Sequence, residues 1–209
     1  EIQACDWSSD VCSSDLTTSI IDYVIPEIGQ NLVEALDIWH EKANNKAVVD
    51  YCFHMSIVPP VDRAISNLPE IVKRGVRSIK CFLAYKNSLM LCDSELFQLM
   101  ESAKSNNMLL CVHAENGEII DLLTKRLLKD NKTDPIFHSL SRPSVLEAES
   151  VSRVLKFAEI IQVPVYFVHL STKDAVKEIK RARKRGKTVY AETCPQYLFL
   201  SQEKYLDSD

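Results

Sequence analysis

Glycine is scarce in this chain, with four in 209 residues. None of them builds a G-x-G-x-x-G loop, which argues against a dinucleotide-binding Rossmann sheet. Basic residues are not in excess. Twenty-five Lys and Arg stand against 29 Asp and Glu, a net charge of -4, so there is no basic footprint for nucleic acid. No apolar run approaches the ~20 residues of a membrane span. The seven cysteines include no C-x-x-C pair. Cys52, Cys81, Cys111 and Cys194 lie in or beside apolar runs and read as reduced, packed thiols, as expected of a cytoplasmic protein. The opening residues are polar and lack an apolar h-region, so no signal peptide is expected.

What is present is ordinary globular material: 46% hydrophobic and 26% charged, enough for one sizeable core. The first sixteen residues do not fit it. CDWSSDVCSSDL (residues 5–16) is rich in Ser and Asp and has neither a helical nor a strand period. It resembles the in-frame translation of a common sequencing adapter. We therefore expect residues 1–16 to be a non-native tail, the other reading being a disordered acidic segment. The genomic locus would decide between them.

From residue 17 onward one unit recurs. A short, β-branched apolar run is followed by an amphipathic stretch. The runs are TTSIIDYV, KAVVDYCFHM, RSIKCFLAY, MLLCVHAE, PVYFVHLS and KTVYAETC. In NLVEALDIWHEKAN, Leu32, Leu36 and Trp39 share a face, and Asn31 with Glu34 makes a capped start. DSELFQLMESAKS is expected to start at an Asp93 cap. STKDAVKEIKRARKRG opens on Ser171 or Thr172 and closes at Gly186. RPSVLEAESVSRVLKFAEII is the longest helical pattern. Strand–helix alternation predicts an α/β fold with parallel strands and helical crossovers. Without a phosphate loop, six such units favour a partial (β/α)8 barrel. A flavodoxin-like open sheet is the alternative at this length.

Lys80 sits inside one of the apolar runs. A buried ammonium is costly unless paired or neutralised. Either the side chain snorkels to solvent, or its nitrogen is used for chemistry. A neutral buried amine can capture carbon dioxide as a carbamate, an anionic group able to bridge two cations. His113 and His169 stand near the C-terminal ends of two strands, where barrel enzymes place catalytic groups. Two imidazoles there suit a transition metal; the plainer reading is two packed histidines. His40, His54 and His138 have no partner at ligand spacing.

GVRSIKCFLAYK, CVHAENGEIID, KTDPIFHSLSRP, VYFVHLST and ETCPQYL, preceded by IIDYVIPEIGQNLVEALDIWHEKA, resemble the dihydropyrimidinase/hydantoinase family of cyclic amidohydrolases. The likeness runs in order from residue 17 to the C-terminus. It implies a metal-dependent barrel that hydrolytically opens a dihydropyrimidine or hydantoin ring to an N-carbamoyl amino acid. Lys80 would be the N6-carboxylated lysine bridging two divalent ions, zinc by family habit. His113 and His169 would be ligands of the second ion. Tyr85 would bind the substrate carbonyl and its developing oxyanion. The full-length protein would be a homotetramer. ETCPQYL is nearer the bacterial hydantoinase form. The family's first-strand H-x-H pair, its last-strand aspartate and its β-sandwich have no counterpart. The six runs would thus be barrel strands 2–7, with raw edges that invite aggregation, and the isolated chain is expected to be inactive. Alternatives are an allantoinase- or dihydroorotase-type sister enzyme and a non-catalytic relative. The latter lacks residues equivalent to Lys80 and His169.

Overall fold

A computed structural model describes residues 17–206; the tail expected over residues 1–16 lies outside them. Six strands form one sheet: β1 (Ser19–Val24), β2 (Asp50–Ser56), β3 (Ser78–Phe82), β4 (Leu109–His113), β5 (Val165–Phe167) and β6 (Val189–Ala191). All five pairings are parallel and the spatial order is the chain order. That order decides between the two expected architectures. A flavodoxin-like sheet reverses direction at a switch point, whereas a barrel adds each strand beside the last. The chain is a partial (β/α)8 barrel, with β1 and β6 as the ends of the sheet.

The crossovers are α1 (Leu32–Ala43), α2 (Val61–Lys73), α3 (Asp93–Ser105), α4 (Gly117–Lys129), α5 (Pro135–Leu140), α6 (Ser144–Ile161) and α7 (Lys173–Lys184), followed by two short 3₁₀ turns. Among the described residues no helix is long and apolar enough to cross a membrane. Asn31 caps α1 by accepting from the Val33 N–H at 2.8 Å. Thr172 caps α7, and Gly186 follows that helix at φ +76°. Asp93 is not the cap of α3. The cap is Cys92, whose N–H donates to the Glu95 carboxylate at 2.8 Å. Asp93 is the first helical residue and pairs with Arg153, where its charge suits the helix N-terminus.

Strand alternation sorts the sheet into two faces. Phe53, Met55, Ile79, Leu110, Val112, Val165 and Phe167 belong to the main core, packed with Leu36 of α1, Leu68 of α2, Leu99 of α3 and Val154 of α6. The intervening residues face the barrel interior. Pairing sets Ser56, Lys80, Cys111, Tyr166 and Tyr190 in one row across five strands. Phe82 and His113 form the next row towards the C-terminal end. The five described cysteines are free. Cys81 and Cys111 are buried as expected, but Cys52 is exposed and Cys194 only partly buried.

Candidate active site

Lys80 does not snorkel to solvent. It is 4% exposed. Among the described residues its side chain has no ion pair or hydrogen bond; its Nζ lies 4.0 Å from the Phe82 ring centroid and 5.0 Å from that of Tyr23. Burial lowers its pKa to about 8, against the opposing fields of Cys81, Cys111 and Glu192. The two thiols are themselves pushed up to about 12 by burial, so they are uncharged where Lys80 titrates. Beside it in register, the Ser56 hydroxyl is fully buried and has no hydrogen-bond partner among the described residues. An unpaired amine and an orphaned hydroxyl side by side are what a site built around a further polar group leaves behind.

His113 ends β4, and His169 follows β5 by two residues. Fifty-six residues apart in sequence, their rings meet with Nδ1 of His113 3.0 Å from Nε2 of His169. The outer nitrogen of His113, Nε2, lies 2.7 Å from Glu115 Oε2. A hydrogen placed on Nε2 and donated to that carboxylate leaves Nδ1 with a lone pair. A hydrogen placed on Nδ1 of His169 leaves its Nε2 with a lone pair as well. Burial, then the fields of His113 and Lys80, lower its pKa to about 4, so it is neutral at pH 7. Two lone pairs facing each other at that distance repel unless a cation or proton lies between them. This donor set suits a transition metal. Among the described residues no group of three or more His, Cys, Asp or Glu side chains is arranged to hold an ion. The two imidazoles and the Lys80 amine are the candidate donors at this end of the sheet.

Glu115 and Arg142 were not among the residues expected from sequence. Burial works against a charge on Glu115, but the His113 hydrogen bond and the fields of His113 and Arg142 outweigh it and hold the carboxyl below its usual range. Arg142 Nε stands 3.7 Å from Glu115 Oε1. The spacing His113-x-Glu115 at a strand end was the available signal, because alternate residues share a side.

Tyr85 lies across the mouth, its ring centroid 5.1 Å from that of His113. It is half exposed, and burial and Glu115 raise its pKa, partly offset by Arg142. The phenol therefore keeps its hydrogen to higher pH than usual. Tyr85 at φ +68° and His169 at φ +41° both occupy the left-handed region, a strained choice for side chains of this size that clusters at functional sites. The Tyr85 carbonyl gathers the N–H groups of Ser88, Leu89 and Met90. Gly117 packs beneath this loop. A Cβ there would stand 2.6 Å from Met90 Sδ, 2.7 Å from Ala84 Cα and 2.7 Å from Leu83 O. Two of those atoms are backbone and cannot rotate away. Gly117→Ala is expected to cost about 1–3 kcal/mol in urea unfolding of the chain; unchanged stability would mean the loop moves freely.

His54 holds Ser78 Oγ at 2.5 Å, His40 packs edge-on to Phe53, and His138 contacts Arg142. All three have plain structural partners, as expected.

No family model matches the chain. Individual proteins do. It is 43% identical over 192 residues to the D-hydantoinase of Geobacillus stearothermophilus, covering 91% of this chain and 41% of that one. It is 41% identical over 177 residues to the dihydropyrimidinase of Dictyostelium discoideum, covering 84% and 35%. The solved dihydropyrimidinase of Brevibacillus agri superposes with a TM-score of 0.89 at 42% identity, covering 92% of this chain and 42% of that one. A D-hydantoinase crystal structure gives a TM-score of 0.86 at 44% identity, covering 90% and 41%. The chain spans about two fifths of the length of the curated relatives it matches. Sequence and fold together make the chain homologous, over about nine tenths of its length, to part of proteins named D-hydantoinase and dihydropyrimidinase.

Proposed function

We propose that residues 17–209 carry one wall of the active site of a cyclic amidohydrolase, the preceding residues being foreign to it. The whole enzyme would open a dihydropyrimidine or hydantoin ring to an N-carbamoyl amino acid. The observation that supports this best is the 3.0 Å convergence of His113 and His169 at the strand ends, beside a buried, unpaired Lys80. Similarity to named D-hydantoinases over nine tenths of the chain supports the reaction class.

Two divalent cations, zinc first among candidates, would be held by Lys80 as a bridging N6-carboxylated side chain and, for the second ion, by His113 and His169. Such ions, when bound, polarise a carbonyl and lower the pKa of water. The chain's own residues supply the rest. The Lys80 ammonium first gives a proton to solvent; the neutral amine then attacks carbon dioxide, an N–C bond forms as one C=O π bond opens to the carboxylate oxygen, and a second proton leaves the nitrogen to solvent. The side chain passes from cation to anion, which removes the positive charge from the interior. Glu115 accepts the hydrogen on His113 Nε2 and so fixes which nitrogen faces inward. His169 stays neutral at working pH. Tyr85 donates its phenolic hydrogen to the carbonyl oxygen of the scissile amide as charge builds there. Water adds across the amide, and the ring nitrogen leaves with the proton.

A chimera tests this reading: residues 17–206 replace the homologous segment of the Geobacillus stearothermophilus D-hydantoinase. Loaded with zinc and bicarbonate, it is expected to open hydantoin or dihydrouracil and to lose that activity to a chelator. A folded, metal-loaded chimera that turns over neither ring, or only allantoin or dihydroorotate, would reject it. The isolated chain is expected to be inactive.

A further inference from the structure

The two imidazoles come from loops far apart in sequence, yet both loops are tied to one place, the start of α6. On one side, the Asn116 N–H donates to the Leu146 carbonyl at 3.3 Å and Asn116 Nδ2 donates to Glu149 Oε2 at 2.8 Å. Asn116 follows Glu115, the carboxylate on His113, whose other oxygen faces Arg142. On the other side stands Glu147, 8% exposed. Its Oε1 accepts from the Ser171 N–H at 3.0 Å and Ser171 Oγ at 3.2 Å. Its Oε2 accepts from the Thr172 N–H at 2.9 Å and Thr172 Oγ1 at 2.5 Å. All four donors come from the two residues that follow Leu170, immediately after the left-handed His169.

A helix cap needs one acceptor, and Thr172 already caps α7 with its own hydroxyl. Four donors on a buried carboxylate do more than that. They fix the position and direction of the chain leaving His169, where backbone strain would otherwise favour relaxation. The Arg142 side and the Glu147 side are separate sets of bonds that meet at the start of α6, Arg142 two residues before the helix and Glu147 in its first turn.

We propose that residues 142–149 form a brace that sets the distance between the two imidazoles, with Glu147 positioning His169 and Arg142 and Asn116 positioning the Glu115–His113 pair. This rests on the reading of His113 and His169 as joint ligands. The brace residues are positioning residues in this proposal and act through the histidines.

The test uses this chain, labelled for histidine side-chain NMR, in wild type, Glu147→Gln, Arg142→Lys and Val154→Ala forms. Gln keeps the volume of Glu but turns a donor towards the Ser171 or Thr172 N–H. Val154 is buried in the same helix away from both loops, so its truncation reports loss of stability alone. Glu147→Gln is expected to shift the His169 ring nitrogens and to raise amide exchange at residues 169–172 tenfold or more. It should also weaken binding of cobalt(II) tenfold or more, the usual penalty for losing an outer-shell partner. Arg142→Lys should move the His113 signals instead. Val154→Ala should lower the melting temperature and leave both rings and cobalt(II) affinity unchanged. Wild-type rings and affinity in Glu147→Gln, or equal changes in Val154→Ala, would overturn the brace. Ring shifts in Glu147→Gln with no cobalt(II) binding by any form would support the brace and reject the metal reading instead.

Discussion

Lys80→Met is expected to make this chain more stable while removing its chemistry. Met keeps the apolar stem against Phe82 and Tyr23 and deletes a buried, unpaired ammonium. Lys80 titrates at about 8 in the fold against an ordinary value of 10.5. Between those pH values the unfolded chain holds a proton that the folded chain does not. Wild-type stability therefore climbs with pH across that window. The full penalty, at most ~3 kcal/mol, applies below pH 8. The advantage of Met should be about 1–3 kcal/mol at pH 7 in carbon dioxide-free buffer, and should fade as pH approaches 10.5. Urea unfolding at both ends of the window measures it. A gain that is absent at pH 7, or that does not depend on pH, would mean that the ammonium is solvated or paired after all. In the hydantoinase chimera the same substitution should remove bound metal and lower turnover by roughly a thousandfold or more. Retention of both metals and normal turnover would remove Lys80 from the site.

Tyr85→Phe in that chimera should separate binding from chemistry. The phenol is the oxyanion donor in the proposed reaction, and loss of one such donor costs roughly 10²–10³ in kcat. Bound metal and the apo fold should not change, because the ring stays packed near His113 and Phe82 and the loop is held by its backbone. KM should change far less than kcat, since the hydrogen bond strengthens as charge develops. A Phe variant with wild-type kcat would exclude the phenol from catalysis. One that lost metal as well would make Tyr85 a structural residue.

These expectations separate into what lies along the chain and what does not. The strand–helix alternation, Asn31 and Thr172 as caps and Gly186 as a helix stop were all legible, because caps and periodicity act over a few residues. So were Lys80, His113 and His169 as the unusual members of apolar strands or their ends. The Asp93 cap was misplaced by one residue, because the Cys92 N–H takes the Glu95 carboxylate and a cysteine is a poor sequence signal for a cap. Helices α2, α4 and α5 are not among the amphipathic stretches read from sequence; α2 contains Pro69, a residue that ordinarily reads as a helix stop.

The chain's order of residues by itself determined the repeating unit, the polarity of the strands and which side chains end at their C-terminal tips, since each follows from local geometry and period. Only the tertiary structure decided that six units add in barrel order, and that Lys80 is sealed between two rings. It also brought imidazoles 56 residues apart to 3.0 Å and placed a glutamate from α6 under the loop that carries one of them. Those outcomes depend on strand neighbours and on partners 24 to 56 residues apart in the chain. Proximity of that kind is set by packing, because no local pattern records which distant group will satisfy a buried charge.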